Sequence, residues 1–165
     1  MKYRAAIIWA VLLVATASCS PVEDSSDPSP RLRGQNEILA AVVSFEAEQP
    51  HHVEFMPAKV LFVGVGQIAE MQDPAPAVLA MVKPGNLKVE PFSGCEFQNA
   101  GIIERKTGAR GILIQFGPVN WENNDNASAE VSIWIANGVG LRYIFHVFKT
   151  SGKWIVVDNK SLGSA

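Results

Sequence analysis

The sequence predicts an α+β fold in which N-terminal helices pack on one face of an antiparallel meander sheet. Helical spacing and helix-start signals are confined to the region before residue 85, and alternating β-branched segments separated by Asn, Gly and Ser turns fill the region after it. The length, 165 residues, suits one domain rather than two. Apolar residues make up 48% of the chain, enough for a real core. A formal charge of −2 leaves no basic footprint for nucleic acid, so none is expected as a partner. Two cysteines exclude both a disulfide scaffold and a four-cysteine zinc site.

Lys2 and Arg4 precede eleven uncharged residues, Ala5–Ala15. As a helix this run is about 16 Å long against a hydrocarbon core of about 30 Å, too short to span and right for the apolar part of a secretory signal. Residues 1–18 therefore read as a signal peptide. Ala15-Thr16-Ala17 fits ordinary signal cleavage, and Thr16-Ala17-Ser18-Cys19 resembles a bacterial lipoprotein box, with Thr16 where that box usually carries Leu or Val, in which Cys19 is the lipid attachment residue. The next stretch, Ser20 to Gly34, is rich in Ser, Pro and Asp and nearly free of large apolar side chains. Residues 19–35 are accordingly expected to be a disordered tether, which favours the lipoprotein reading. Removing residues 1–18 leaves 12 basic against 16 acidic residues, a net charge of −4. Such a body is not drawn to anionic lipid, so the membrane is met only through the lipid anchor. With Cys19 acylated, Cys95 is a buried small hydrophobe or a reactive thiol; with Cys19 free, a Cys19–Cys95 disulfide becomes possible.

One α+β domain is expected over residues 36–162. Asn36 to Glu48 reads as the first helix, with Asn36 as cap and Ile38, Leu39, Val42, Val43 and Phe45 on one side. Ala58 to Val65 is a continuous apolar run, a buried strand or the start of a helix. Asp73-Pro74 reads as a helix start, with a short helix over Pro76 to Val82. Leu87 to Phe92 reads as an edge strand because Pro91 cannot donate to a ladder. Ile102–Arg105 and Gly111–Phe116 form a hairpin, and Ala127–Ile135, Leu141–Phe148 and Lys153–Asp158 a three-strand run.

Between residues 127 and 135 the odd positions are Ala, Ala, Val, Ile and Ile, and they point to the core. A two-residue Asn137-Gly138 turn pairs Ile133 with Arg142. A three-residue loop, Gly138 to Gly140, pairs Ile133 with Phe145 and Ser132 with His146. The second keeps the apolar set on one side and is the register expected. It leaves Glu130, Ser132 and Trp134 beside Ile144, His146 and Phe148 on the opposite face, which is too apolar to stand bare in water. That face is covered by further strands, or meets a partner, or lines a ligand pocket with Trp134 as platform and Glu130 and His146 as polar handles.

Asp73-Pro74 followed by Ser93-Gly94-Cys95, the strand Glu130 to Trp134, and Gly152-Lys153-Trp154-Ile155-Val156-Val157 carry a resemblance. Over roughly residues 36–162 the chain resembles the nuclear-transport-factor-2-like and cystatin-like α+β folds, nearest to small exported bacterial proteins of unassigned function. The resemblance implies the fold and transfers no catalytic residue.

Gly64-Val65-Gly66-Gln67-Ile68-Ala69 matches the dinucleotide-binding fingerprint in spacing. Pro74 and Pro76 stop any long helix after it, so no βαβ unit is expected and the glycines read as a bend. His51 and His52 are adjacent, with rings on opposite sides, and read as solvent-facing linker residues. No nucleophile elbow, His-Glu-x-x-His or Cys-x-x-Cys occurs. No catalytic residue, metal site or cofactor is assigned. The expectation is an exported, lipid-anchored envelope protein, facing the periplasm. It would act as a non-catalytic module for an unknown protein partner or self-association through Glu130, Trp134 and His146; the alternative is a small-ligand-binding protein or enzyme using the same face.

Overall fold

The computed structural model describes residues 30–50, 52–53, 56–99 and 101–165. The signal segment, Cys19, the first part of the tether and His51 lie outside them. The chain folds as α+β, two helices against a mixed sheet of eight strands. Helix α1 spans Pro30–Glu48 and begins six residues before the expected cap, so residues 30–35 belong to the helix rather than to the tether. Tertiary contact explains the extension. Gly34 lies under the Trp121 ring, where a Cβ would come within 2.8 Å of the indole. Ile38, Leu39, Val42, Val43 and Ala47 form its buried side.

Two short strands, β1 (His52–Val53) and β2 (Met56–Pro57), pair antiparallel. Strand β3 (Val60–Val65) is buried on both faces over its first five residues. A continuous apolar run has this meaning when strands run parallel, and β3 does run parallel to both neighbours, β4 (Lys88–Pro91) and β7 (Arg110–Trp121). The expected all-antiparallel meander is thus corrected to a mixed sheet. Helix α2 (Pro76–Met81) lies on the crossover from β3 to β4, so a short βαβ unit does form. It starts with Pro76 at its first position. Asp73 does not cap it; the Asp73 carboxylate accepts instead from the Ser93 backbone N–H at 2.7 Å. β4 is an edge strand, as Pro91 requires.

The hairpin β5 (Cys95–Gln98) and β6 (Gly101–Glu104) attaches through β6 to the start of β7. From β7 onward the expected meander is present, through β8 (Asn126–Ala136), β9 (Val139–Thr150) and β10 (Lys153–Ser164), with β10 at the far edge. The β8–β9 register is neither of the two expected. The turn is the tight Asn137-Gly138 pair, closed by Ala136 opposite Val139, and a bulge at Ile135 then sets Ile133 opposite Leu141 and Ser132 opposite Arg142. The bulge reconciles turn chemistry with face segregation, because it restores the parity that a two-residue turn alone would break.

Odd positions of β8 do face the helices. Ala127, Ala129, Val131 and Ile133 join Ile38, Val42, Leu61, Ile114 and Phe145 in the main core. A second core lies on the other side of the sheet, where the β5–β6 hairpin brings Cys95 and Ile102 over Val60, Phe62, Leu113 and Trp134.

Candidate functional site on the outer sheet face

The three residues singled out from sequence all lie on the face turned away from α1, but in three different surroundings. Trp134 is 9% exposed and belongs to the second core. Gly140 faces it across the strands, and any Cβ there would come within 2.8 Å of the indole. The Trp134 indole N–H donates to Gln115 Oε1 at 2.8 Å, and Gln115 Nε2 donates to the Gly66 carbonyl at 2.8 Å. Trp134 therefore acts as an anchor beneath the surface, not as an open platform.

Glu130 lines a cleft of about 360 Å³ with Gln67, Gln115, Pro118, Ser132 and Arg142. The cleft forms where β7 breaks its ladder between Phe116 and Val119. Gly117 lets the chain close over Glu130, whose Cβ would be 3.3 Å from an added Cβ. Glu130 Oε2 and Arg142 Nη2 stand 3.8 Å apart, a loose pair with both side chains about half exposed, so each keeps hydrogen-bonding capacity for a visitor. Arg142, Gln67 and Gln115 were not foreseen. The bulge at Ile135 sets Arg142 diagonal to Glu130, the β7–β8 register sets Gln115 opposite Ser132, and the parallel β3–β7 pairing brings Gln67 to the same place; none of these long-range pairings is legible locally in the sequence.

His146 is half-buried and sits opposite Ser128. Six residues of strand separate that position from Trp134, about 20 Å at 3.3 Å per residue. His146 is a diagonal neighbour of Glu130, which faces Ile144. Diagonal partners stand about 7–8 Å apart along the backbone, and His146 is not among the residues that line the cleft. The structure thus joins Glu130 to a cleft, places Trp134 behind it and leaves His146 outside it.

Beyond the cleft the same sheet is open. Ten large apolar side chains are exposed among the described residues, and six of them lie on β9 and β10: Val139, Leu141 and Leu162 at the end beside the cleft, and Phe148, Ile155 and Val157 towards the opposite end. Phe148 and Ile155 face each other across the two strands, and Val157 occupies a bulge beside them.

Clear shifts in protonation fall elsewhere. Lys88 reaches Glu104 at 2.7 Å and Glu90 at 2.6 Å, and these hydrogen bonds raise its pKa to about 12. Glu104 is held below the ordinary carboxylate range by Lys88 first and by the Thr107 hydroxyl second. This network ties edge strand β4 to hairpin β5–β6. Burial pushes the Cys95 thiol up to about 11, which fits the small-hydrophobe reading and not the reactive one.

The Gly64 motif has a packing reason. A Cβ at Gly64 would run into the Met71 side chain, and Gly66 adopts φ +101°, which favours glycine. No long helix begins there; Ile68–Glu70 makes a single 3₁₀ turn. No helix among the described residues is long and apolar enough to cross a membrane. Comparison with protein-family models, with curated proteins and with solved structures finds no match to this chain.

Proposed function

We propose that this chain is an exported, lipid-anchored envelope protein that acts as a non-catalytic binding module. Its partner, another protein or a second copy, meets the β9–β10 end of the sheet. The observation that carries this reading is the exposed apolar group of Phe148, Ile155 and Val157 on those two strands. A surface of that kind costs solubility unless something covers it. The export half of the reading rests on the Lys2/Arg4 and Ala5–Ala15 signal and on Cys19. The helix-on-meander arrangement supports the likeness to cystatin-like folds, and the partner surface relocates from Trp134 to Phe148, Ile155 and Val157.

Two experiments test it. Cys19→Ser should move the protein from the membrane fraction to the soluble envelope fraction; a wild type that is already soluble ends the anchor proposal. A photocrosslinking side chain at position 148 should give adducts in intact cells that disappear with Val157→Asp. Absence of any adduct removes the partner surface.

The Glu130 cleft favours a second reading, a small polar ligand held between Glu130 and Arg142. Arg142→Ala would then abolish binding of a small zwitterion, measured by calorimetry, while leaving the position-148 adducts intact.

A further inference from the structure

On the side of the sheet that carries α1, a groove of about 550 Å³ runs between the helix and the first residues of β10. Ala40, Ala41, Ser44 and Phe45 form the helix wall, and Gly152–Val156 form the strand wall. β10 is the last strand of the sheet, so one of its backbone edges faces this groove.

The direction of the backbone groups follows from the turn. Ser151 and Gly152 both have positive φ, 49° and 76°, the signature of a type I′ two-residue hairpin. Thr150 and Lys153 close it as a hydrogen-bonded pair, and pairs alternate from there. Trp154 and Lys149 are therefore a non-hydrogen-bonded pair. The Lys149 N–H confirms the phase, since it turns away from β10 and donates to the Asp125 carbonyl at 2.7 Å. Trp154 and Val156 must then direct their N–H and C=O groups outward, into the groove.

We propose that this groove takes a short extended peptide from a partner protein, which adds as a strand to the Trp154 and Val156 edge and seats an aliphatic side chain against Ala40 and Ala41. Main-chain pairing supplies affinity and the helix wall supplies selection. The bulge at Val157 ends the regular edge. Residues 152–156 offer about 16 Å of strand, which suits a segment of four or five residues. A second copy pairing along the whole of β10 would have to cross the bulges at Val157 and Leu162, so the occupant is a peptide and not another β10. Charge adds a preference. Lys83 and Lys153 line the groove without a carboxylate partner among the described residues, while Glu37 is engaged by Lys149 at 3.6 Å and Glu48 is the remaining acid. An acidic residue flanking the aliphatic one is favoured.

This inference rests on the reading of β9–β10 as the binding end, and it fails separately from it. The probe is a capped peptide alternating valine and threonine, with two glutamates at each end, added to the folded chain from residue 20 onward. Main-chain pairing tolerates sequence, so this probe suffices up to about 1 mM. The expected result is amide protection and shift changes at Trp154 and Val156. Binding should weaken at least tenfold for a probe N-methylated at alternate amides, for Val156→Pro and for Ala41→Phe. Val156→Pro spares the β9 ladder because its N–H points outward, and Ala41→Phe covers the case in which the proline variant does not fold. Unchanged Trp154 and Val156 amides, or equal binding of the N-methylated probe, overturn the inference. So does a wild-type dimer that Val156→Pro dissolves, which would place a second copy in the groove. Position-148 adducts that persist beside a negative probe result leave the binding-module reading standing and remove only the edge.

Discussion

Trp134 and Phe148 both lie on the face of the sheet turned away from α1, and both sit in strands with the same alternation, yet they meet opposite fates. Trp134 is 9% exposed, with its N–H on Gln115 and hairpin β5–β6 above it. Phe148 is 39% exposed, and its cross-strand neighbour Ile155 is 43% exposed. The difference lies in cover. Hairpin β5–β6 is tethered to β4 by the Lys88–Glu104 pair and stops over β3, β7 and the end of β8. Alternation decides which face a side chain takes, and an element distant in sequence decides whether that face is core or surface.

The sharpest way to break this contrast is to empty the covered end. Phe62 is fully buried there, packed on Gly111, where an added Cβ would come within 2.6 Å of its ring. Phe62→Ala should cost about 3–5 kcal/mol in urea unfolding. Phe148→Ala should cost less than about 1 kcal/mol, since the wild-type ring already spends much of its surface in water. Equal losses would mean that the open end is buried in the protein as it exists. Trp134→Phe comes next. It removes the donor to a half-buried Gln115 and should cost about 1–3 kcal/mol. It should also loosen the Gly66 loop, read as faster amide exchange at Gly66 and Gln67.

Much of this fold was legible in the sequence because local chemistry decides it. The parity of residues 127–133 and the edge role of Pro91 follow from side-chain period and a missing donor. What stayed hidden depends on distant partners. The apolar run at β3 signals burial on two faces without saying that its neighbours run parallel. Helix α1 starts early because Trp121 lies over Gly34, 87 positions away. At the candidate site Glu130 was foreseen and Arg142 was not, because the bulge at Ile135 sets which residue of β9 stands beside it.

The tether that holds the cover in place can be tested by pH. Glu104 is shifted down, so its contribution is complete above the ordinary value of 4.5 and fades as pH falls through its folded pKa. Lys88 is shifted up, so its contribution is complete below 10.5 and fades as pH climbs through about 12. Glu104→Gln should lower the melting temperature by a constant amount between those limits, and the deficit should close in acid. A deficit that grows in acid would mean that the pair does not form. Cys95 reports on the same cover. Its buried thiol at about 11 should alkylate at pH 8 at least ~100-fold more slowly in the folded chain than in urea. Glu104→Gln should narrow that ratio if it lets the hairpin lift.

The smallest expected effect carries the most information about the open end. Ile155 is exposed, faces Phe148 and lies outside the main core. Replacing it with Asp removes no buried contact there. Its own N–H and C=O face β9, so the ladder survives whatever side chain it carries. The isolated domain should therefore unfold within about 0.5 kcal/mol of wild type. A core position on the same sheet, such as Ile114→Asp, would bury an unpaired carboxylate and prevent folding. An unpaired charge in a partner interface carries a similar penalty, so Ile155→Asp should abolish the position-148 adducts while leaving the unfolding curve in place. A stability loss of several kcal/mol instead would show that Ile155 is covered within the isolated chain. The open end would then be a second sealed end, and the contrast with Trp134 would vanish.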